Sequence, residues 1–359
     1  MHTVITGTGS HIPSVRVPNE SFLGHDFRDA NQKTLGKSNE EILKQFESIT
    51  GIRERRYVPD DVDTSDIAFD AAQKALQSSN LDPEQLDGII VAHNFGDVRA
   101  GSQRLDLVPS LAARVKAKLE IRNPYSVAFD LIFGCPGWLQ GVIVADSMIR
   151  AGDAKRMMII GADTLSRISD PHDRDSLIYA DGAGAVIVEG RDTNDGLLSR
   201  VARSDTLEHS GMLFMGESYN PEAFLEALFL KMEGRKLYKY ALNHVAGAVK
   251  EALDRAGVHL RDVKKVLIHQ ANGKMDEAIL GAVYDLYDAG KPSAGVMPMT
   301  ISWLGNSSVA TIPTLLDLIL RGEMDGHAIE AGDIIVFASV GAGMHINAVV
   351  YRWPRLVQQ

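Results

Sequence analysis

A chain of 359 residues, 45% hydrophobic and 23% charged, is long enough for two domains or one large α/β body and has neither a disordered nor a collagen-like bias. Its formal net charge of −10 argues against nonspecific nucleic-acid binding, and its single cysteine, Cys135, excludes an internal disulfide. The start MHTVITGTGSHIP lacks a basic, apolar leader, and no run approaches the roughly 20 apolar residues of a membrane span, so the expected compartment is the cytoplasm.

In chain order, TVITGTG (3–9) reads as a strand, SDIAFDAAQKALQSSN (65–80) as a helix and GIIVAH (88–93) as a second strand. SVAFDLI (126–132) is a strand leading to FGCPGWLQGVIVADSMIRAGD (133–153), which reads as a turn and a helix. RMMIIGAD (156–163) and GAVIVEG (184–190) are further strands. After a polar stretch, 191–235, come a helix at 236–257 and strands at 265–270, 333–340 and 344–353. The strands are too apolar to alternate, as expected where both faces are covered by helices, and their alternation with helices argues a layered α/β fold.

The sequence also repeats itself. AAQKALQSSNLDPEQLDGIIVAHN (71–94) matches AVKEALDRAGVHLRDVKKVLIHQA (248–271) at constant offset, pairing Ala75 with Ala252, Leu76 with Leu253 and Ile89 with Val266. At a slightly different offset, 133–153 matches LGNSSVATIPTLLDLILRGEM (304–324), with Cys135 on Asn306 and Arg150 on Arg321. Two matches in the same order suggest two related lobes with a seam in 191–235 and a pseudo-symmetric site where Cys135 and Asn306 meet.

Three stretches carry candidate chemistry. Cys135 precedes Pro136, a residue suited to a helix's first turn, so its thiol is expected at a helix N-terminus, where the macrodipole lowers a thiol pKa. Taken alone, it fits a small buried hydrophobe equally well. KVLIHQANGKM (265–275) ends a buried strand on His269, at the strand end where sheet enzymes place their chemistry; a structural histidine is the bland reading. SWLGNSSVATIP (302–313) sets Asn306 in a small-residue turn, where it would serve as an N-cap or face a pocket. SVGAGMH (339–345) supplies a glycine-rich turn with backbone N–H groups for an oxyanion.

These segments, with GTGSHIP, TGIRERRYV (50–58), GADTLSRISDPHDRDSLIYADGAGAVIVEG (161–190), HQAN (269–272), GNSS (305–308) and the closing GAGMHINAVVYRW, resemble the thiolase-fold condensing enzymes, most closely β-ketoacyl-acyl-carrier-protein synthase III. The likeness covers nearly the whole chain. It implies duplicated βαβαβαβ lobes, here 1–195 and 196–359, in a five-layer αβαβα sandwich. It further implies an acyl thioester bound covalently at Cys135, then decarboxylative Claisen condensation with malonyl-carrier or a β-ketoacyl thioester. His269 and Asn306 would donate to the second thioester's carbonyl. The backbone N–H groups of Cys135 and Ala342 would hold the tetrahedral oxyanion, and Arg174, Asn272 and Lys274 would meet CoA or the acyl carrier protein. Neither a metal nor a cofactor is implied, and a homodimer is expected. Transfer of the Cys-bound acyl group to an oxygen or nitrogen nucleophile is the rival activity.

Some residues depart from the family pattern. Gln45 and Ile49 stand where housekeeping members clasp the CoA adenine between tryptophan and arginine. Segments 20–47 and 93–124 look enlarged, and Trp138 is bulky beside the cysteine. These departures suggest a longer or unusual acyl group and a role in specialised metabolism, as a dialkylresorcinol-type or polyketide-associated ketosynthase, rather than priming of fatty acid biosynthesis from acetyl-CoA. Arg53, Arg55, Arg56, Arg261, Lys264 and Lys265 would extend a carrier-docking patch around Lys274. SDPHDRD (169–175) matches no metal-site spacing and reads as a surface loop opening a helix, and GTGS (7–10) is too short for a dinucleotide fingerprint.

Overall fold

The computed structural model describes residues 1–354 except Gln103 and Leu225. Strand β1 (His2–His11) opens the chain, followed by helices α1 (Asn39–Thr50) and α2 (Thr64–Ser79). Then come β2 (Gly88–Ala92), α3 (Leu111–Lys118), β3 (Val127–Leu131), α4 (Gly137–Ala151), β4 (Arg156–Thr164) and β5 (Asp181–Arg191). The second half supplies β6 (Gly196–Ser204), α5 (Gly234–Ala256) and β7 (Val263–Ile268). It closes with α6 (Gly273–Asp285), α7 (Thr311–Leu320), β8 (Ile334–Gly341) and β9 (His345–Arg352). All the strands expected from the sequence form. Strand β6 is additional: it lies on a sheet edge, and Arg200 and Arg203 make it look polar within the stretch read as a seam.

The strands build two sheets, in the orders β1-β5-β4-β2-β3 and β6-β9-β8-β7. In the first, β1 and β5 pair antiparallel, as do β5 and β4, whereas β4–β2 and β2–β3 are parallel. The second has the same pattern: β6–β9 and β9–β8 are antiparallel, and β8–β7 is parallel. The sequence repeat thus has a topological counterpart, with α2–β2 matching α5–β7 and α4 matching α7.

Neighbouring residues of one strand face different layers, which explains the continuous apolar runs. Ile89 and Val91 pack with Ile67, Ala71 and Ala75 of α2, while Ile90 joins Leu139 and Val142 of α4. Ile335 reaches the same central layer beside Leu315 and Ile319 of α7, and Val336 turns to Val245 and Val249 of α5 and Ile279 of α6. The result is an αβαβα thiolase-type sandwich whose central helices, α4 and α7, lie between the sheets. Each fully buried leucine or isoleucine there contributes roughly 1.5–3 kcal/mol.

The GTGS stretch has a packing explanation. A Cβ at Gly7 or Gly9 would lie 2.5 Å from the carbonyl oxygen of Ala75 or Ala71, so glycine lets the α2 backbone settle directly on β1. No helix among the described residues is long and apolar enough to cross a membrane.

Candidate active site

Cys135 sits in the turn between β3 and α4, two residues ahead of the helix. The turn lies hard against the end of β8. Gly134 is left-handed (φ 62°), and a Cβ there would lie 2.6 Å from Ala342 N. A Cβ at Gly341 would lie 2.5 Å from Cys135 N. Two glycines therefore permit the backbone approach that puts Cys135 and Ala342 on one wall of a cavity.

The thiol is not lowered in pKa as the helix terminus alone implies; burial overturns that expectation. Burial pushes the Cys135 thiol up to about 11, opposed by the Ser308 hydroxyl 3.5 Å from Sγ, while the Asp163 carboxylate pushes it further up. The nearest helical donor is also engaged, because Gly137 N–H bonds the Gly134 carbonyl. The resting side chain is a thiol. Its thiolate fraction therefore rises tenfold per pH unit, and alkylation by iodoacetamide, followed by intact mass, is expected to climb log-linearly from about pH 7 to about pH 10. A plateau below about pH 8 would mean a preformed thiolate and overturn this assignment.

His269 follows β7 directly, its backbone N–H donating to the Ala338 carbonyl at 2.8 Å. Its Nδ1 is 2.8 Å from the Thr311 hydroxyl, which is itself 3.0 Å from the Ser308 carbonyl. That hydroxyl has one hydrogen. Turned to the ring, it leaves Nε2–H as a donor to the cavity; turned to the carbonyl, it leaves Nε2 as an acceptor. Burial holds the His269 pKa at about 4, so the imidazole is neutral at pH 7 in either arrangement.

Asn306 is positioned by two backbone bonds: its N–H donates to the Ile178 carbonyl at 2.9 Å, and its carbonyl accepts from Ala180 N–H at 2.8 Å. The side-chain Oδ1 accepts from Ser308 N–H at 2.8 Å, leaving Nδ2 as the group open to the cavity. Gln270 braces the loop ahead of Asn306, donating to the Pro298 carbonyl and accepting from Thr300 and Ile301 N–H.

Sequence reasoning missed the groups behind the cysteine. Asn94, just past the end of β2, donates from Nδ2 to Asp163 Oδ2 at 2.7 Å and to Ser308 Oγ at 3.1 Å, which ties together the two groups behind the sulfur. Burial raises Asp163 to about 6, and the Asn94 donors restrain the rise. Asn94 stood at a strand's carboxyl end, the one signal that pointed to it.

Cys135, His269, Asn306 and Ala342 line one cavity of about 80 Å³ with Asn94, Ser308, Tyr179, Leu213, Leu230 and Met232. It adjoins an outer cavity of about 660 Å³, where Gln45, Ile49, Arg174, Asn272, Arg235 and Lys239 stand among apolar side chains. Arg174 is half exposed there, 3.6 Å from Asp175. The Asn272 side chain caps α6, accepting from Met275 N–H. Lys274 is exposed but lines neither cavity.

Four expectations need correction. Arg55 is fully buried and donates to the Leu177 and Val17 carbonyls and to Asn19, so it braces the fold and is no part of a surface patch. Lys265 is also buried, bonded to the Gly295 carbonyl and His327. SDPHDRD does open a short helix, Arg174–Ile178, but it is not simply a surface loop: Asp170 and Asp173 are buried and clasp Lys231 at 2.5 and 3.2 Å, anchoring a ribbon formed by Leu213–Glu217 and Leu228–Met232 beside the cavity. Trp138 belongs to the core between the sheets and does not line the cavity.

Residues 129–206 match the 3-oxoacyl-[acyl-carrier-protein (ACP)] synthase III family, and residues 253–353 match that family's C-terminal portion. The chain is 32% identical over 358 residues to β-ketoacyl-[acyl-carrier-protein] synthase III of Dinoroseobacter shibae, covering 98% of each sequence. It is also 32% identical, over 356 residues and 98% of each, to the enzyme of the same name from Ruegeria pomeroyi. Among solved structures it is similar to 3-oxoacyl-(acyl carrier protein) synthase III of Pseudomonas aeruginosa PAO1, with a TM-score of 0.80, 29% identity and 99% and 100% of the two chains covered.

Proposed function

The chain belongs to the β-ketoacyl-[acyl-carrier-protein] synthase III family and is a condensing acyltransferase; from that premise we propose which of its residues run the decarboxylative Claisen reaction and on what substrates. Cys135 Sγ attacks the carbonyl of an acyl thioester, the bond to the CoA or carrier sulfur breaks, and the thiol proton leaves with that sulfur. Malonyl on acyl carrier protein then enters. Its carbon–carboxylate bond breaks, carbon dioxide departs, and the electron pair moves into an enolate whose oxygen is held by Asn306 Nδ2–H and, with the Thr311 hydroxyl turned to Nδ1, by His269 Nε2–H. The enolate carbon attacks the acyl-cysteine, the tetrahedral oxyanion rests on Cys135 N–H and Ala342 N–H, and collapse breaks the carbon–sulfur bond, releasing the β-ketoacyl product and a Cys135 thiolate that takes a proton from water.

The observation that carries these roles is the Asn306 side chain. With Oδ1 tied to Ser308 N–H, only the donor end of the amide faces the cavity that holds Cys135 and His269. The small volume beside the cysteine favours a short acyl group over the longer one that the sequence departures suggest. Arg174, Arg235 and Lys239 offer cations to the thioester carrier in the outer cavity, and Lys274 offers one on the surface outside it. Product mass and carbon dioxide release test the reading. Condensation adds two carbons from malonyl and releases one carbon dioxide, whereas acyl transfer to oxygen or nitrogen releases none. Lys274→Glu is expected to slow turnover with carrier-borne malonyl about tenfold and to spare a small malonyl thioester. Equal slowing of both sinks the docking role.

The edge of the first sheet supports a homodimer. Among the described residues strand β3 has no partner on its outer edge, and Tyr125, Val127, Ile132 and Val108 around it are exposed. An uncovered apolar strand edge is a pairing surface, and a second copy presenting the same edge continues the sheet. Sedimentation is expected to give twice 39.1 kDa, reduced toward one copy by Val127→Lys. A wild-type monomer at micromolar concentration would refute the homodimer.

A further inference from the structure

Tyr179 stands at the junction of the two catalytic lobes, and the mechanism above makes no use of its hydroxyl. Its backbone is bridged to Asn306 through the flanking Ile178 carbonyl and Ala180 N–H. The ring is 3% exposed and packs among Ile52, Val98, Leu165, Ile168 and Ile301. It lines the same cavity as Cys135, His269 and Asn306. Yet its hydroxyl is buried and has no hydrogen-bond partner among the described residues. The equally buried Tyr351 differs, since its hydroxyl accepts from Ile5 N–H. A phenylalanine would complete the apolar wall at 179 without that orphaned atom. A buried hydroxyl left unpaired forfeits the hydrogen bonds it makes in water. Burial, with the charges of Asp173 and Asp175, holds its pKa well above the usual tyrosine range, so the group carries its proton.

We propose that Tyr179 is a specificity-determining residue whose O–H donates to an oxygen on the acyl chain of the first substrate, which selects short acyl thioesters bearing a carbonyl or hydroxyl group over plain chains of equal length. This rests on the condensing reading above. Such an oxygen replaces the partner the fold does not supply, and a site built around an otherwise unpaired polar group discriminates against the analogue that lacks it. Plain chains desolvate the phenol and give nothing back.

The test uses three probes of equal carbon count: butyryl-CoA, 3-hydroxybutyryl-CoA and acetoacetyl-CoA. Each is incubated with wild type and with Tyr179→Phe, and the rate of mass gain at Cys135 is followed. Wild type is expected to load at least one oxygenated probe about tenfold or more faster than butyryl. The variant is expected to lose that preference while loading butyryl as fast or faster, and its Tm is expected to stay level or rise. An unchanged ratio in the variant, or an equal loss with all three probes, overturns the assignment and makes Tyr179 a part of the wall only. If wild type acquires no mass from any acyl thioester, the condensing roles fall first, and the specificity role falls with them.

Discussion

Cys135→Ala is expected to abolish covalent loading entirely. The wild-type protein should gain the mass of one acyl group per chain, and the variant none, whatever thioester is offered. Two features make the test clean. The chain has no second cysteine to act as a substitute acceptor. The substitution also removes one sulfur from a cavity wall whose shape is set by backbone, because the contacts at Gly134 and Gly341 involve main-chain atoms of Cys135 and Ala342 and the Cys135 Cβ, which alanine keeps. The fold should therefore survive. A variant that still loads would move the nucleophile elsewhere and sink the reading. Ser308→Ala is a milder companion: it deletes the hydroxyl beside sulfur and should slow loading, because that hydroxyl is a side-chain donor holding the Cys135 pKa down.

The second large effect separates the half-reactions. His269→Ala and Asn306→Ala are each expected to lower condensation about 10²- to 10³-fold, the usual consequence of deleting one donor to a developing oxyanion. Loading of Cys135 should persist, since neither side chain is needed for the first attack. The double variant should lose less than the product of the single losses, because both donors serve one oxygen. Rapid quench followed by intact mass distinguishes the acyl-enzyme from released product. Loss of loading in step with condensation would instead place these residues in nucleophile activation. Thr311→Val belongs to the same experiment: without the hydroxyl at Nδ1, the ring loses its anchor and condensation should fall while loading does not.

Much of this was legible in the chain itself. The apolar runs that became β2, β4 and β8 announced strands buried on both faces, and the offset matches announced two sheets of one pattern. Cys135, His269 and Asn306 stood out because each lies in a short local motif. The groups that orient them did not, because their roles exist only across distance. Thr311 meets His269 from 42 positions away, and Asn94 meets Ser308 from 214. Strand β6 was hidden by its arginines, and Arg55 and Lys265 were misread because a buried cation and a surface cation look alike in sequence. The thiol pKa failed for a related reason. A helix terminus is a local feature and can be anticipated, whereas burial is contributed by every layer of the fold at once.

The ribbon beside the cavity separates two kinds of inheritance. Along Leu228–Met232 the side chains alternate, with Leu230 and Met232 facing the cavity and Lys231 facing Asp170 and Asp173. One face of the strand is an anchor that tolerates no change of charge, because a lone buried carboxylate or ammonium is strongly destabilising. The other is a row of replaceable apolar plugs. A lineage can therefore exchange 230 and 232, and Leu213 opposite Met232, to admit a different acyl group while the attachment stays as it was. Substrate choice in this fold can drift by two-residue steps.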